Sequence, residues 1–110
     1  MTSLDAQKEK NAQLIAILKE NGVLEGEMRV LDFFCYTMSK SAAYTLRDEL
    51  KKSLGYDSEI DKRGWLRPKY SVIGTARVNA TLKDLNAFCE RMWNCCEPLG
   101  CEFDGWGTEL

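Results

Sequence analysis

Apolar residues recur along this chain with two different periods. Between Tyr70 and Val78 the alternation is strict. Val72, Gly74, Ala76 and Val78 fall on one side of an extended segment, and Ser71, Ile73, Thr75 and Arg77 on the other. That pattern predicts a strand whose small-residue face packs closely against helices. From Leu82 to Leu99 the period is helical. Leu82, Leu85, Cys89, Met92, Cys96 and Leu99 make an unbroken stripe, opened by Thr81 with Asp84 at the capping-box position and closed by Pro98 and Gly100.

Weaker signals fill in the rest. Thr2 to Asn21 predicts a helix capped by Thr2 with Asp5, carrying the short stripe Leu14, Ile15 and Leu18 and stopped by Asn21-Gly22. Its first ten residues are polar almost throughout, and this end is expected to fray. After a linker, Val23 to Met28, the β-prone run Arg29 to Thr37 predicts a strand. Ser39 or Ser41 caps a helix that reaches Leu54, with Ala43, Leu46 and Leu50 on one face and Gly55 after its end. Tyr56 to Asp61 alternates weakly and fits a charged edge strand. Lys62 to Pro68 is a basic turn, and Cys101 to Phe103 a last short strand.

The elements after the first helix thus run β-α-β-β-α-β. This order predicts an α+β protein with a ferredoxin-like, split-βαβ architecture: an antiparallel sheet with two helices on one face. The expected organisation is one domain over 1–110, an added N-terminal helix over 1–22 preceding a ferredoxin-like core over 29–108. Leu31, Phe33, Cys35, Ile73 and Thr75 are expected on the sheet's open face. Either the N-terminal helix covers that face or a homodimer forms through it.

Composition narrows the function. The chain has 110 residues, 45% apolar and 29% charged, in the range of an ordinary soluble globular protein. Its 15 basic and 17 acidic residues leave a net charge of −2, without the basic surplus that nucleic-acid binders use against phosphates. Direct nucleic-acid binding is therefore not expected. No run approaches the roughly 20 apolar residues that span a bilayer. Met1 to Lys10 has no signal-peptide core, so a cytoplasmic protein without membrane contact is expected. The five cysteines are odd in number and fit reduced thiols.

There is no histidine, which removes the usual general base and every Ser-His-Asp or Cys-His site. The spacing of Cys89, Cys95, Cys96 and Cys101 lacks the close pairs that clamp zinc, so no metal is expected. No phosphate-binding glycine loop is present, and no cofactor is implied. Asp57, Glu59 and Asp61 share one strand face and fit a solvated edge. Cys35 and Cys101, on strands that would be neighbours, are the one conceivable redox pair. An enzyme is not expected.

Two places remain for binding. In the basic turn, Lys62, Arg63, Arg67 and Lys69 surround Trp65, with Tyr70 beside them. Such a loop can simply cap the core with its indole, grip an acidic peptide, or hold RNA phosphates while stacking a base. In Asp104-Gly105-Trp106-Gly107-Thr108, two glycines permit positive φ on either side of one tryptophan. Asp104 can accept from freed N–H groups in such a turn. Trp106 then plugs the end of the sheet, serves as an interface anchor, where tryptophan is enriched, or does both. Candidate partner-binding residues are Asp104, Gly105, Trp106, Gly107, Trp65, Arg63 and Arg67.

At Phe103 to Thr108 the sequence resembles the RraB family, regulators of ribonuclease E activity. Asn11 to Gly22 is similar to that family's opening helix. Val30 to Tyr36, the helix before Leu54-Gly55-Tyr56, and Leu82 to Leu99 follow in the family's order. The resemblance spans residues 11–109 and implies a ferredoxin-like fold, with binding to an endoribonuclease of the RNase E type and its inhibition without catalysis. Element order alone leaves a competing function: a small-molecule-sensing module of the amino-acid-binding type, working as a dimer.

Overall fold

A computed structural model describes residues 3–108. It contains helices α1 (Leu4–Glu20), α2 (Lys40–Glu49) and α3 (Leu82–Cys96), and strands β1 (Met28–Thr37), β2 (Ser58–Arg63), β3 (Lys69–Asn79) and β4 (Glu102–Gly107). The strands form one antiparallel sheet in the order β2-β3-β1-β4.

Local chemistry sets the helix ends. Thr81 Oγ1 accepts from the Asp84 amide at 3.0 Å and donates to the Asp84 carboxylate at 2.8 Å, closing the first turn of α3. Leu85, Cys89, Met92 and Cys96 are buried along the expected stripe, joined by Phe88. Leu82, the first residue of α3, instead faces solvent. Ser39 caps α2 by accepting from the Ala42 amide. A π-helical turn, Leu50–Leu54, continues α2 to Gly55 and keeps Leu50 buried beside Ala43 and Leu46. The expected cap Thr2 lies outside the described residues. Within them, Ser3 accepts from the Ala6 amide at 3.1 Å and starts α1.

The register of β1 against β3 corrects the expected open face. Leu31, Phe33 and Cys35 pair directly with Ala76, Gly74 and Val72. Cross-strand partners share a face, so these three β1 residues point with Val72 and Ala76 into the helix-covered core and are buried. Residues 30 to 36 carry large apolar side chains in both phases, and Asp32 alone marks 30, 32, 34 and 36 as the outward one; pairing with β3 fixes it. The opposite face carries Val30, Phe34 and Ile73, all exposed.

Gly74 is small for a reason. A Cβ there would lie 2.3 Å from the Asp57 carbonyl oxygen and 2.5 Å from Phe33 Cζ. Its absence lets the chain entering β2 and the Phe33 ring close over β3.

Helix α1 packs beside α3, joined to it by an ion pair between Lys8 and Glu90 and by Asn11 Nδ2 donating to Asn86 Oδ1 at 3.0 Å. It therefore leaves the far face of the sheet uncovered. Its polar N-terminal half is not simply solvated, since Gln7 and Asn11 are buried with Leu18, while Leu14 and Ile15 are half-buried.

Candidate functional site

The two-glycine motif belongs to a strand and not to the turn expected after a strand ending at Phe103. β4 runs through Gly107, and a bulge interrupts it. Cys35 pairs with Phe103, but its neighbour Phe34 pairs with Gly105, leaving Asp104 as the extra residue. Gly105 adopts φ +115, which residues with a Cβ rarely take. Gly107 has no positive φ.

The bulge has a consequence for the side chains. Phe103 and Trp106 are three apart, so a regular strand would send them to opposite faces. One inserted residue brings both to the core face, opposite Cys35 and Phe33. Trp106 is 6% exposed. Its indole Nε1 donates to Asn11 Oδ1 at 2.7 Å, while Asn11 Nδ2 donates to Asn86 Oδ1 and to Cys89 Sγ. The Gln7 amide lies over Gly105, where a Cβ would sit 3.3 Å from Gln7 Oε1. Thr108 Oγ1 donates to the Val30 carbonyl at 2.9 Å. This geometry is that of the plug reading of the tryptophan. The indole faces the protein's own interior beneath α1, and Asp104 alone of the motif is exposed.

Gln7, Asn11 and Asn86 carry no site or core role in the sequence pattern, where Asn11 only opens the segment similar to the family's first helix. The one available signal was spacing: Gln7 and Asn11 continue the face of Leu14, Ile15 and Leu18 toward the N-terminus. Amides on that face suggest solvent unless a buried donor elsewhere needs them.

The second candidate set lies near the other edge strand. β2 and β4 are opposite edges of the sheet, so the basic hairpin tip and Trp106 form separate places. Lys62 and Arg63 end β2, Lys69 begins β3, and Gly64 to Pro68 joins them. Trp65 is 84% and Leu66 78% exposed. The indole thus does not cap the core, contrary to the simplest reading of this loop. Arg63 Nε donates to Asp61 at 3.2 Å, and the Lys69 ammonium sits 3.9 Å above the Tyr36 ring. Arg67 is exposed. Arg63, Trp65 and Arg67 are therefore brought together, with Leu66 as an addition.

The carboxylates behave as a charged edge. Asp57 pairs with Lys51 at 2.8 Å, and Glu59 and Asp61 are exposed on β2. Among the described residues no group of three or more His, Cys, Asp or Glu is placed to hold a metal ion. Among the same residues no helix is long and apolar enough to cross a membrane.

All five cysteines are free thiols. The neighbour of Cys35 is Cys96, at 3.5 Å between sulfurs, and not Cys101, whose Sγ faces the Ala42 and Leu99 carbonyls. The contact with Cys96, together with burial, holds the Cys35 thiol well above its ordinary range. Burial also raises Cys101. The reactive form is the thiolate, so burial lowers the reactivity of both thiols. A cleft of about 240 Å³ opens between α3 and β4, lined by Trp93, Cys96, Cys101 and Phe103 with Glu97 and Glu102. Both charged residues there are acidic, the wrong sign for the carboxylate of an amino acid.

A family model described as regulator of ribonuclease activity B (RraB) matches residues 8–108. The chain belongs to that family. No curated protein matches it. The matched span takes in Asn11, the whole hairpin tip and the bulged strand with Trp106, so both candidate places fall within the family's own boundaries.

Proposed function

We propose that this chain is a cytoplasmic, non-catalytic regulator that acts by binding a ribonuclease, with an endoribonuclease of the RNase E type as its partner. The observation that carries this reading is the family match across residues 8–108. The chemistry agrees with it: the chain has no histidine, and the contact with Cys96 and burial push the Cys35 thiol well above its ordinary range. Element order and the β2-β3-β1-β4 sheet support a ferredoxin-like core over 29–108, to which α1 is an addition.

The contact we assign to the partner is the hairpin tip, through Arg63, Trp65 and Arg67. Exposing an indole to water forgoes burial worth roughly 1.5–3 kcal/mol for a large apolar side chain. Trp and Arg are the residues that most often dominate interfaces. Gly105 and Trp106 serve the same function indirectly, by fixing α1 and β4 into one frame, and Asp104 and Gly107 flank them in the bulged strand.

The test is direct binding. The ribonuclease is passed over the immobilised chain and then over the variant Trp65→Ala. Saturable binding that the variant loses supports the reading. No saturable binding to the intact chain contradicts it.

A further inference from the structure

The surface has two outlying features, and they complement each other. One is the hairpin tip. Residues 62–69 hold four cations and no acid, so the net charge of −2 divides into +4 on this segment and −6 on the remainder. Trp65 and Leu66 project from the middle of that positive segment.

The other is the sheet face that α1 leaves open, and its rows can be read across the strands from the register. Glu102, Tyr36, Ser71 and Asp61 form one row, and Gly105, Phe34, Ile73 and Glu59 the next. Gly107, Asp32 and Thr75 follow, then Val30 and Arg77. Phe34 and Ile73 are direct cross-strand partners at the centre, and both are exposed. Around them stand Asp32, Glu59, Asp61 and Glu102 with Arg77, and the row beyond Asp61 on this face is the tip's own Arg63 and Lys69, where Arg63 meets Asp61 and Lys69 lies over Tyr36. The face is thus an apolar centre ringed mainly by carboxylates. The tip is an apolar pair ringed by cations.

We infer that the occupant of this face is a second copy of the chain, in an isologous dimer in which each hairpin tip lies on its partner's open sheet face. A two-fold axis between the faces and across the strands turns one copy end for end. The same operation then satisfies both tips and both faces. Trp65 and Leu66 meet Phe34 and Ile73, while Arg63 and Arg67 meet Asp32 and Glu59. A face with only apolar residues would fit many partners; the opposed charges select this one. RNA is disfavoured as the tip's occupant, because a strand of phosphates leaving the tip would run onto Asp61, Glu59 and Asp32. The inference stands apart from the ribonuclease reading, although the tip is used in both. Self-association and ribonuclease binding would therefore compete.

Charge reversal and mixing test it, with mass measured by light scattering after size exclusion. The tip variant carries Arg63→Glu with Arg67→Glu, and the face variant carries Asp32→Lys with Glu59→Lys. All four positions are exposed, and retained circular dichroism establishes that each variant is folded. The wild type is expected to dimerise with concentration, less so at high salt because exposed charges are screened. Each variant alone is expected to self-associate at least about tenfold more weakly, since every tip then meets a like charge. Their equimolar mixture is expected to recover the dimer, because each tip again meets an opposite face. A wild type that stays monomeric at every concentration overturns the inference, whatever the ribonuclease binds. So does a mixture that stays monomeric. Wild-type-like dimerisation by the folded tip variant also overturns it, and places any dimer elsewhere. Should a reversed variant not fold, the single exposed substitution Trp65→Ser carries the same test: unchanged dimerisation overturns the inference.

Discussion

Trp106 Nε1 donates to Asn11 Oδ1 at 2.7 Å, joining residues 95 apart in the chain. This bond ties helix α1 to the last strand. The buried face of α1 contains two amides, Gln7 and Asn11, with Leu18. Apolar burial alone is therefore a weak force for docking the helix, and polar complementarity with β4 and α3 makes up the difference.

Asn11→Ala is expected to destabilise the protein by about 1–3 kcal/mol, the cost of leaving a buried indole N–H without an acceptor. Trp106→Phe removes the donor as well as indole packing. In the double variant the two losses should add to less than their sum, because the shared bond is lost only once. Urea denaturation of the four proteins measures this. Strict additivity would show that the bond contributes nothing.

The two glycines of the motif are expected to differ. Gly105→Ala imposes a Cβ on φ +115 and brings it 3.3 Å from Gln7 Oε1, so a loss of about 1–3 kcal/mol follows. Gly107→Ala meets nothing within 4 Å and no positive φ, and should stay within about 0.5 kcal/mol of the wild type. Thermal unfolding of both variants decides whether the bulge, and not the glycine content, is what the strand requires.

This contrast shows where sequence reading succeeded and where it stopped. β3 and α3 were legible because each has one dominant period, and Thr81 and Ser39 cap as their residue types suggest. β4 was cut short at Phe103 because Gly-Trp-Gly has the composition of a turn. What keeps it a strand is tertiary: β1 pairs with it, and the core accepts Trp106 only after a bulge. The inward phase of β1 was obscured because Val30, Phe34 and Tyr36 are as apolar as Leu31, Phe33 and Cys35, leaving Asp32 as the one outward marker. Gln7 and Asn11 were hidden by being polar. The tip residues stood out in the sequence because cations cluster beside a tryptophan in a nearly neutral chain, but their exposure could not be read there.

Buried thiols give the protein a pH dependence. Cys35 is held protonated in the fold by its contact with Cys96 and by burial, so the folded state binds more protons than the unfolded state once pH passes the ordinary thiol value of about 8.5. With that sign, stability falls as pH rises above this value, until Cys35 itself ionises in the fold. The fall should be shallower in Cys35→Ala, even though that variant is less stable at neutral pH. Denaturation midpoints across the alkaline range measure the slope. Equal slopes in the two proteins would mean that the decline comes from elsewhere.

The central claim is that the chain regulates a ribonuclease by contact through its hairpin tip. Its most direct test is the cleavage rate of a purified endoribonuclease of the RNase E type on a defined RNA. The chain is added as wild type or with Trp65→Ala and Arg67→Glu. These positions are exposed, so the variant is expected to remain folded and to lose at most about 0.5 kcal/mol per substitution. The account predicts that the wild type slows cleavage in proportion to its concentration, cuts nothing on its own, and loses at least about tenfold in potency with the tip altered. A cleavage rate indifferent to the wild type, or lowered equally by the folded tip variant, would contradict it.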